Sequence, residues 1–506
     1  MPNREGSAAE IMKLSDLIDS IHVRSVAGTL ETEVSGVFYD SRKVKPGGVF
    51  CALKGDGSDG HHYIQAAIDN GAVAVISEQP NPAEFIATWI QVGNGRSAMA
   101  IAAANFEGHP SHAFPVVGVT GTNGKTTTSY LVHHLMQSIL HRAGLMGTIY
   151  YSTGDKLVEA SHTTPESTEV QRLLREMRDS DCRGAAMEVS SHGLAQHRVT
   201  GVAFDVGIFT NLTQDHLDYH RTMDEYFAAK CLLFEQMDAE TSKSATAIIN
   251  LDDSYGDRLM KMRFERLKRI TYGRGANADF KAGEIRSDFN GTQFKLTFRE
   301  RQFLVRIPLI GNFNVYNAVA AIAAGWSIGL NLREVVLKMA DAPQVPGRLE
   351  LVGGRQTNYR VFVDYAHTPD AIQNVLSTLR ALGPQRIITV FGCGGDRDSA
   401  KRPLMAAAAE EGSDLCLLTS DNPRTEDPRK ILADAARGFL RGGHEVYEDR
   451  REAIRRAINL AGERDIVLIA GKGHEAYQEI NGVRHDFDDR KVAAGFISKK
   501  AEGGVA

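Results

Sequence analysis

Long apolar runs, paired cysteines and blocks of like charge are all missing from this chain of 506 residues. No hydrophobic stretch approaches the roughly 20 residues that cross a bilayer as a helix, which argues against a membrane-spanning protein or a membrane partner. The five cysteines (51, 182, 231, 393 and 416) are odd in number and none forms a C-x-x-C pair. That argues against a disulfide framework or a cysteine zinc site; packed thiols and a reducing, cytoplasmic setting are expected. The net charge is −5 and no basic block stands out, which argues against nucleic acid as a partner. The first ten residues are polar and hold no apolar core, so no secretory leader is expected. What remains is an ordinary globular composition, 42% hydrophobic and 24% charged. A chain of this length exceeds one typical core, and about two to four domains are expected.

The most informative stretch runs from Val116 to Thr128. A valine-rich, β-prone stretch, Val116 to Val119, enters a turn of Gly, Thr and Asn, and a helical pattern with Leu131, Val132, Leu135 and Met136 follows. A strand, loop and helix in this order offer backbone N–H groups and a positive helix end to an anion. Lys125 adds charge for the terminal phosphates of a nucleoside triphosphate, and the Thr126 hydroxyl suits Mg2+. The usual phosphate-loop pattern has Gly where Val119 stands; the early glycine here is Gly121.

Along the chain, residues 1–110 read as a small α/β unit, with strands at Val34–Tyr39, Val49–Leu53, Ala72–Ile76 and Ile90–Val92. Helices are expected at Tyr63–Asn70 and Arg96–Phe106. Its loops Asp40-Ser-Arg42 and Lys54–Gly60 suit either ordinary turns or a phosphate-bearing ligand. The segment 108–112 reads as a linker into a central region, residues 111–343, that begins with the phosphate-loop strand. Further strands are expected at Leu145–Tyr151, Gly184–Val189 and Val202–Thr210, with a hairpin signal at Asn290-Gly291. Pro343 to Gly347 marks a second boundary. In residues 344–506, strands at Arg360–Asp364, Ile387–Phe391, Leu415–Thr419, Glu445–Tyr447 and Ile466–Ala470 alternate with helices. The economical topology is a doubly wound parallel sheet. The fold class is therefore α/β.

Polar groups cluster just beyond the carboxyl ends of these strands, the edge where open parallel sheets bind ligands. Glu188 can serve a magnesium ion as a carboxylate ligand. His216 reads either as a loop cap or as a ligand, and His192, His216 and His220 lack regular zinc spacing. Lys230 lies in an apolar helical stretch where a lysine usually snorkels or pairs with an acid. In the last region, clusters at 364–370, 392–398, 420–426 and 471–475 deliver Asp, Arg, Asn and Glu to one edge. That mixture suits a zwitterion: Arg424 for a carboxylate, Asp421 and Glu475 for an ammonium group.

The segments Gly121–Thr127, Glu188–Leu194, Gly347–Glu350 and Asp364–His367 resemble the motifs of the Mur ligases of bacterial cell-wall synthesis. The resemblance runs from about Leu14 to about Lys499 in motif order and spacing. It implies three domains: one for a UDP-sugar, a central P-loop ATPase-like one, and a Rossmann-like one for an incoming amino acid. It implies ATP and Mg2+, and phosphorylation of a carboxylate of a UDP-N-acetylmuramoyl dipeptide to an acyl phosphate that an amine then attacks. By motif, Gly121, Thr122, Asn123, Gly124, Lys125, Thr126 and Thr127 would hold ATP with Asn312 and Arg348. Thr126, Glu188, His216 and Lys230 (as a carbamate) would surround the metal. Tyr39, Ser41, Asp56, Gly57 and Ser58 match uridine-nucleotide contacts, and Thr163, Thr164, Ser190, Gln196 and Arg198 match contacts to the dipeptide. His162 stands where the pattern leads one to expect Asn. Asp421, Asn422, Pro423 and Arg424 resemble a meso-diaminopimelate motif completed by Arg397, Gly471 and Glu475. A lysine-adding version has less use for Arg424, and a folylpolyglutamate-synthase-like ligase has none for the Asp-Asn-Pro-Arg motif. A nucleotide switch without ligase chemistry has little need of the last region's edge. A monomer is expected.

Overall fold

The computed structural model describes residues 11–55, 57–82, 86–353 and 357–503, apart from the Asp218 side chain. Among them no helix is long and apolar enough to cross a membrane, and all five cysteines are buried and free. The chain divides into two compact units. Residues 1–282, 296–303 and 316–338 form the first; residues 283–295, 304–315 and 339–506 form the second.

The first unit opens with a five-stranded sheet in the order Val23–Ala27, Thr88–Val92, Ala72–Ser77, Gly48–Ala52, Val37–Phe38. Strand Gly48–Ala52 is buried throughout, because both of its faces are covered. Val49 and Cys51 pack with Leu14, Leu17 and Met99, while Phe50 and Ala52 pack with Ile64 and Ala67. This is the period-2 alternation of a strand with helices on either side. The strand expected at Val34–Tyr39 is divided. Glu33–Val34 pairs with Met12–Lys13, and after Gly36 the chain changes partner, so that Val37–Phe38 pairs with Gly48–Ala52.

Six parallel strands follow in the order Gly144–Met146, Ala185–Glu188, Val116–Thr120, Val206–Phe209, Thr246–Asn250, Lys268–Gly273. The chain starts in the middle, at Val116–Thr120, builds outward to one side and then to the other. Its phosphate-loop strand therefore stands at the switch point, where the diverging connections open a crevice at the carboxyl edge. The helix Lys125–Leu140 buries Leu131, Val132, Leu135 and Met136, the stripe expected from its spacing. The strand expected at Leu145–Tyr151 is two: Gly144–Met146 runs parallel to its neighbour, and Tyr150–Ser152 returns antiparallel. The bend falls at Gly147, where a Cβ would stand 2.5 Å from Glu188 Oε1. Val202–Thr210 shortens to Val206–Phe209.

In the second unit the sheet order is Glu350–Val352, Arg360–Asp364, Ile466–Ala470, Ile387–Phe391, Leu415–Thr419, Glu445–Tyr447. The first strand is antiparallel and the other five are parallel. Ile372, Leu376, Met405 and Ile431 cover one face with Ile387, Phe391 and Leu418. Ile454, Ile458, Val492 and Ile497 cover the other with Ile388, Val390 and Leu417. Helices on both faces make this a doubly wound sheet. A hairpin, Tyr477–Ile480 with Val483–Asp486, follows the last parallel strand. It turns at Asn481 and Gly482, both at positive φ, as a two-residue hairpin turn requires.

Candidate active site

The phosphate loop leaves its strand through Gly121 (φ +145°) and enters its helix through Gly124 (φ +87°). Both must be glycine. A Cβ on Gly121 would meet Thr210 Oγ1 at 1.8 Å, and one on Gly124 would meet Asn317 Oδ1 at 2.4 Å. The segment after strand Val206–Phe209 cradles the loop. Asn211 accepts from Thr122 N through its carbonyl at 2.8 Å and from Asn123 N through Oδ1 at 3.0 Å. Lys125 Nζ folds back over the loop and donates to the carbonyls of Gly121 (2.9 Å) and Thr122 (2.8 Å). Lys125 thus closes over a loop that leads into the N-terminus of helix Lys125–Leu140, the kind of helix end that suits polyphosphate.

At the end of the adjacent strand, Glu188 is fully buried and accepts three hydrogen bonds. Oε1 takes Thr148 N at 2.8 Å. Oε2 takes the hydroxyls of Thr126 at 3.0 Å and Thr148 at 3.1 Å. Thr148, on the bend that divides the expected strand, was not singled out by sequence; its role depends on a contact forty residues away in the chain.

Lys230 lies on the helix Met223–Ala239 and is 1% exposed. Instead of snorkelling to solvent, its Nζ donates to the Gly121 carbonyl at 2.8 Å and lies 4.4 Å from the Tyr226 ring centroid. Burial, and then the Lys125 charge, push the Lys230 amine well below the usual lysine value; Asp215 pulls weakly the other way. His216 caps a short helix from a left-handed backbone. Burial lowers its imidazole to about 4, Asp215 opposes, and Lys125, His192 and Lys230 add to the depression. It is therefore neutral at physiological pH, with a lone pair to offer.

Lys125, Lys230, His216, His162, Thr163, Thr164, Ser190, Gln196 and Arg198 line one cavity of about 280 Å³. Ser191, His192 and Tyr226 complete its wall. Thr164 Oγ1 donates to the Glu188 carbonyl at 2.9 Å and receives Ser190 N at 3.0 Å, which ties the two loops together. Arg198 grips Gln196 Oε1 at 2.8 Å and the Thr164 carbonyl at 2.9 Å, and pairs with Glu166 at 2.9 Å. In the five-stranded domain, Tyr39 is pushed up by burial, with Glu166 and Glu169 adding and Arg198 opposing. Ser41 is buried at the start of a short 3-10 turn. Gly57 and Ser58 are exposed on a loop closed by Gly55 N to the Ser58 carbonyl at 2.9 Å; Asp56 lies outside the described residues. A larger cavity of about 440 Å³ opens at the opposite, amino-terminal edge of the central sheet, beside Thr246 and Lys268, and holds none of these residues.

The donor set fits magnesium in part. A threonine hydroxyl and a carboxylate are hard oxygen donors of the kind Mg2+ takes alongside substrate phosphates. Lys230 fits such a shell only as a carbamate, since Mg2+ takes oxygen ligands and an ammonium would repel it. Among the described residues no group of three or more His, Cys, Asp or Glu is placed to hold a metal.

The second unit holds a separate polar cluster. Asp421, Asn422, Pro423 and Arg424 follow strand Leu415–Thr419, with Arg424 at φ +52°. Arg424 donates to the Gly395 carbonyl at 2.6 Å and lies 3.9 Å from the Glu479 carboxylate. Asn422 Nδ2 donates to Glu475 Oε2 at 2.9 Å. A Cβ on Gly471 would stand 2.6 Å from Asp421 Oδ2. Arg397 is exposed on the neighbouring loop, which Asp396 anchors by accepting the Thr425 hydroxyl and N–H. Also in this unit, Asn312 is the exposed first residue of helix Asn312–Ser327, and the Arg348 guanidinium lies 4.9 Å from the Tyr365 ring centroid. Lys472, fully buried between Asn422 and Glu475, lies in the 471–475 cluster but is not singled out by sequence; a lysine between two glycines after an apolar strand is the available signal.

Known proteins share this architecture. The Mur ligase family catalytic domain matches residues 33–107, the Mur ligase middle domain residues 119–325, and the Mur ligase glutamate ligase domain residues 347–473. A Solibacter usitatus (strain Ellin6076) protein named UDP-N-acetylmuramoyl-L-alanyl-D-glutamate--2,6-diaminopimelate ligase is 47% identical over 95% of this chain and 97% of its own length. A Listeria monocytogenes (serotype 4b, strain F2365) protein of the same name is 43% identical over 97% and 99%. A solved structure of an enzyme of that name superimposes with a TM-score of 0.72 at 36% identity, covering 97% of this chain and all of that one.

Proposed function

The chain belongs to the Mur ligase family, and on that premise we propose that it is the ATP-dependent ligase joining meso-2,6-diaminopimelate to UDP-N-acetylmuramoyl-L-alanyl-D-glutamate in peptidoglycan precursor synthesis. Residues 1–110 hold the UDP-sugar, with Tyr39, Ser41, Asp56, Gly57 and Ser58 at the nucleotide. Residues 111–343 hold ATP, and residues 344–506 hold the amino acid. The observation that carries the chemistry is the meeting of Lys125, Thr126, Glu188, His216 and Lys230 around one phosphate loop. The relatives' names support the choice of amino acid.

A carboxylate oxygen of the dipeptide attacks the γ-phosphorus of ATP; the bond to ADP breaks and an acyl phosphate forms. The amine of the amino acid then attacks the acyl carbon, phosphate leaves with the C–O electron pair, and the nitrogen loses a proton. Lys125 neutralises charge on the transferring phosphoryl group, while Thr163, Thr164, Ser190, Gln196 and Arg198 place the dipeptide carboxylate in the cavity beside it. Asn312 and Arg348 contact the nucleotide. Thr126, Glu188, His216 and Lys230 as a carbamate would hold magnesium, which would supply further charge neutralisation. Burial favours the free amine of Lys230, to which carbon dioxide adds with loss of one proton, so a buried amine becomes an anionic ligand. His162, at the cavity rim, has no assigned part.

Arg424 selects the substrate. Meso-diaminopimelate differs from lysine by a second carboxylate, and Arg424 is its bidentate partner; Arg397, Gly471 and Glu475 complete the pocket with Asp421, Asn422 and Pro423. With lysine, Arg424 is left unmatched in a half-buried pocket. The enzyme works in the cytoplasm as a monomer on small-molecule substrates. Phosphate release from ATP with the UDP-linked dipeptide and each amino acid in turn tests this reading. Meso-diaminopimelate is expected to lead; faster turnover with lysine would overturn the specificity, and no turnover with any amino acid would overturn the ligase.

A further inference from the structure

Lys472 is fully buried, and its Nζ donates to Asn422 Oδ1 at 2.9 Å and to Glu475 Oε2 at 3.2 Å. Its ammonium also lies 5.4 Å from the Tyr477 ring centroid. Both hydrogen-bond partners are side chains assigned above to the amino acid. The other fully buried cation nearby, Arg450, is different: it pairs with Asp489 at 2.7 Å and donates to the Ser420 and Ala470 carbonyls, and so joins two strand ends. A buried ion pair seldom stabilises a fold more than apolar packing would, so the Lys472 charge calls for another role.

The bonds around Lys472 show what it holds. Asn422 Oδ1 accepts from Lys472 and from Glu479 N at 3.0 Å, which fills its two acceptor positions. Asn422 Nδ2 must then point at Glu475 Oε2, which it meets at 2.9 Å. Glu475 Oε2 is thereby engaged twice, and Oε1 takes part in neither bond. Glu479 in turn receives Arg424 N on its carbonyl at 3.0 Å, so the hairpin, the Asp421–Arg424 loop and Glu475 form one connected set.

We propose that Lys472 is a positioning residue for amino-acid selection: by clamping Asn422 and Glu475 Oε2 it aims Oε1 at the incoming ammonium and offsets the Glu475 charge, so that the pocket takes a zwitterionic end rather than a lone cation. This deepens the ligase reading and rests on it. With Lys472 in place, an ammonium is held well only when its own carboxylate reaches Arg424. Without it, Glu475 carries an uncompensated charge that welcomes the side chain of lysine, and the geometry for the zwitterion loosens.

The test is steady-state kinetics of Lys472→Met and Lys472→Arg in the full-length enzyme, with meso-diaminopimelate and with lysine. Lys472→Met is expected to raise KM for meso-diaminopimelate about 10- to 100-fold, the worth of one charge-assisted hydrogen bond. KM for ATP and for the UDP-linked dipeptide stays unchanged, and the preference for meso-diaminopimelate over lysine falls. Lys472→Arg, which keeps the charge, recovers part of that preference. An unchanged amino-acid KM, or a parallel decline of every parameter, overturns the proposal. If Lys472→Met does not fold, Lys472→Met/Glu475→Gln, in which neither charge is left unpaired, is compared with Glu475→Gln alone. The two are expected to agree within about threefold, since the effect runs through Glu475; a loss added on top of Glu475→Gln overturns it. Native enzyme that does not turn over meso-diaminopimelate sinks the ligase specificity as well, whereas native turnover with an unaltered Lys472→Met sinks this inference alone.

Discussion

Replacing Lys230 with methionine separates the chemical role of this buried amine from a structural one. The Gly121 carbonyl that accepts from Lys230 at 2.8 Å also accepts from Lys125 at 2.9 Å, so it keeps a partner after the substitution. The methionine side chain fills nearly the same volume in a site that is 1% exposed, so no cavity opens and the cost is the one hydrogen bond lost, about 1 kcal/mol. Unfolding by denaturant should therefore shift little. Activity should not. If Lys230 acts as a carbamate beside the transferring phosphoryl group, its loss removes a preorganised charge from a water-poor site, an effect of about 10²- to 10³-fold in kcat. Phosphate release measures that loss. Lys230→Ala leaves room for a small anion, and acetate or formate should restore part of its rate but none of the rate of Lys230→Met. Lys230→Met with activity within about threefold of native refutes the reasoning. So does an inactive Lys230→Ala that no carboxylate rescues.

Three further outcomes follow from the geometry. Gly121→Ala places a Cβ 1.8 Å from Thr210 Oγ1 at a φ of +145°; ADP binding by calorimetry should be lost, with about 1–3 kcal/mol of stability, and unchanged affinity contradicts the cradle. Arg424→Ala should raise KM for meso-diaminopimelate by about 10-fold or more and leave nucleotide binding intact. Arg424 already occupies left-handed backbone at φ +52°, so alanine adds no backbone strain; an unaltered KM in kinetics contradicts its role. Burial, with Arg348, Arg490 and Lys472 adding, lowers His474 to about 3. The unfolded chain binds a proton near pH 6.5 that the folded chain refuses, so stability falls as pH drops from about 6.5 toward 3, by up to about 1.4 kcal/mol per pH unit. His474→Gln should flatten that slope in denaturant titrations at pH 7 and pH 5, and equal slopes contradict it.

The sequence was most legible where strands are buried on both faces. Ile387–Phe391 and Ile466–Ala470 read as continuous apolar runs with polar ends, and the structure has strands at those residues. It was least legible where distant hydrogen bonds decide the path. Nothing local says that Leu145–Tyr151 must bend at Gly147; the reason is that Thr148 N and Oγ1 both reach Glu188. The hairpin Tyr477–Ile480 and Val483–Asp486 is largely exposed and shows no alternating burial, although Asn481-Gly482 carries the same turn signal as Asn290-Gly291. The phosphate loop was readable because strand, glycines and lysine are contiguous. The burial of Lys230 and the Asn422–Lys472–Glu475 clamp were not, because each depends on segments that only the fold brings together.

The most direct test of the account uses the UDP-linked dipeptide with ¹⁸O in its reacting carboxylate. Turnover with ATP and meso-diaminopimelate, followed by mass analysis of the released phosphate, should show one labelled oxygen in the phosphate for each amide formed, because the carboxylate oxygen leaves on phosphorus. Phosphate free of label, with the tripeptide product still formed, would contradict the acyl-phosphate route and the roles assigned to Lys125, Glu188 and Lys230.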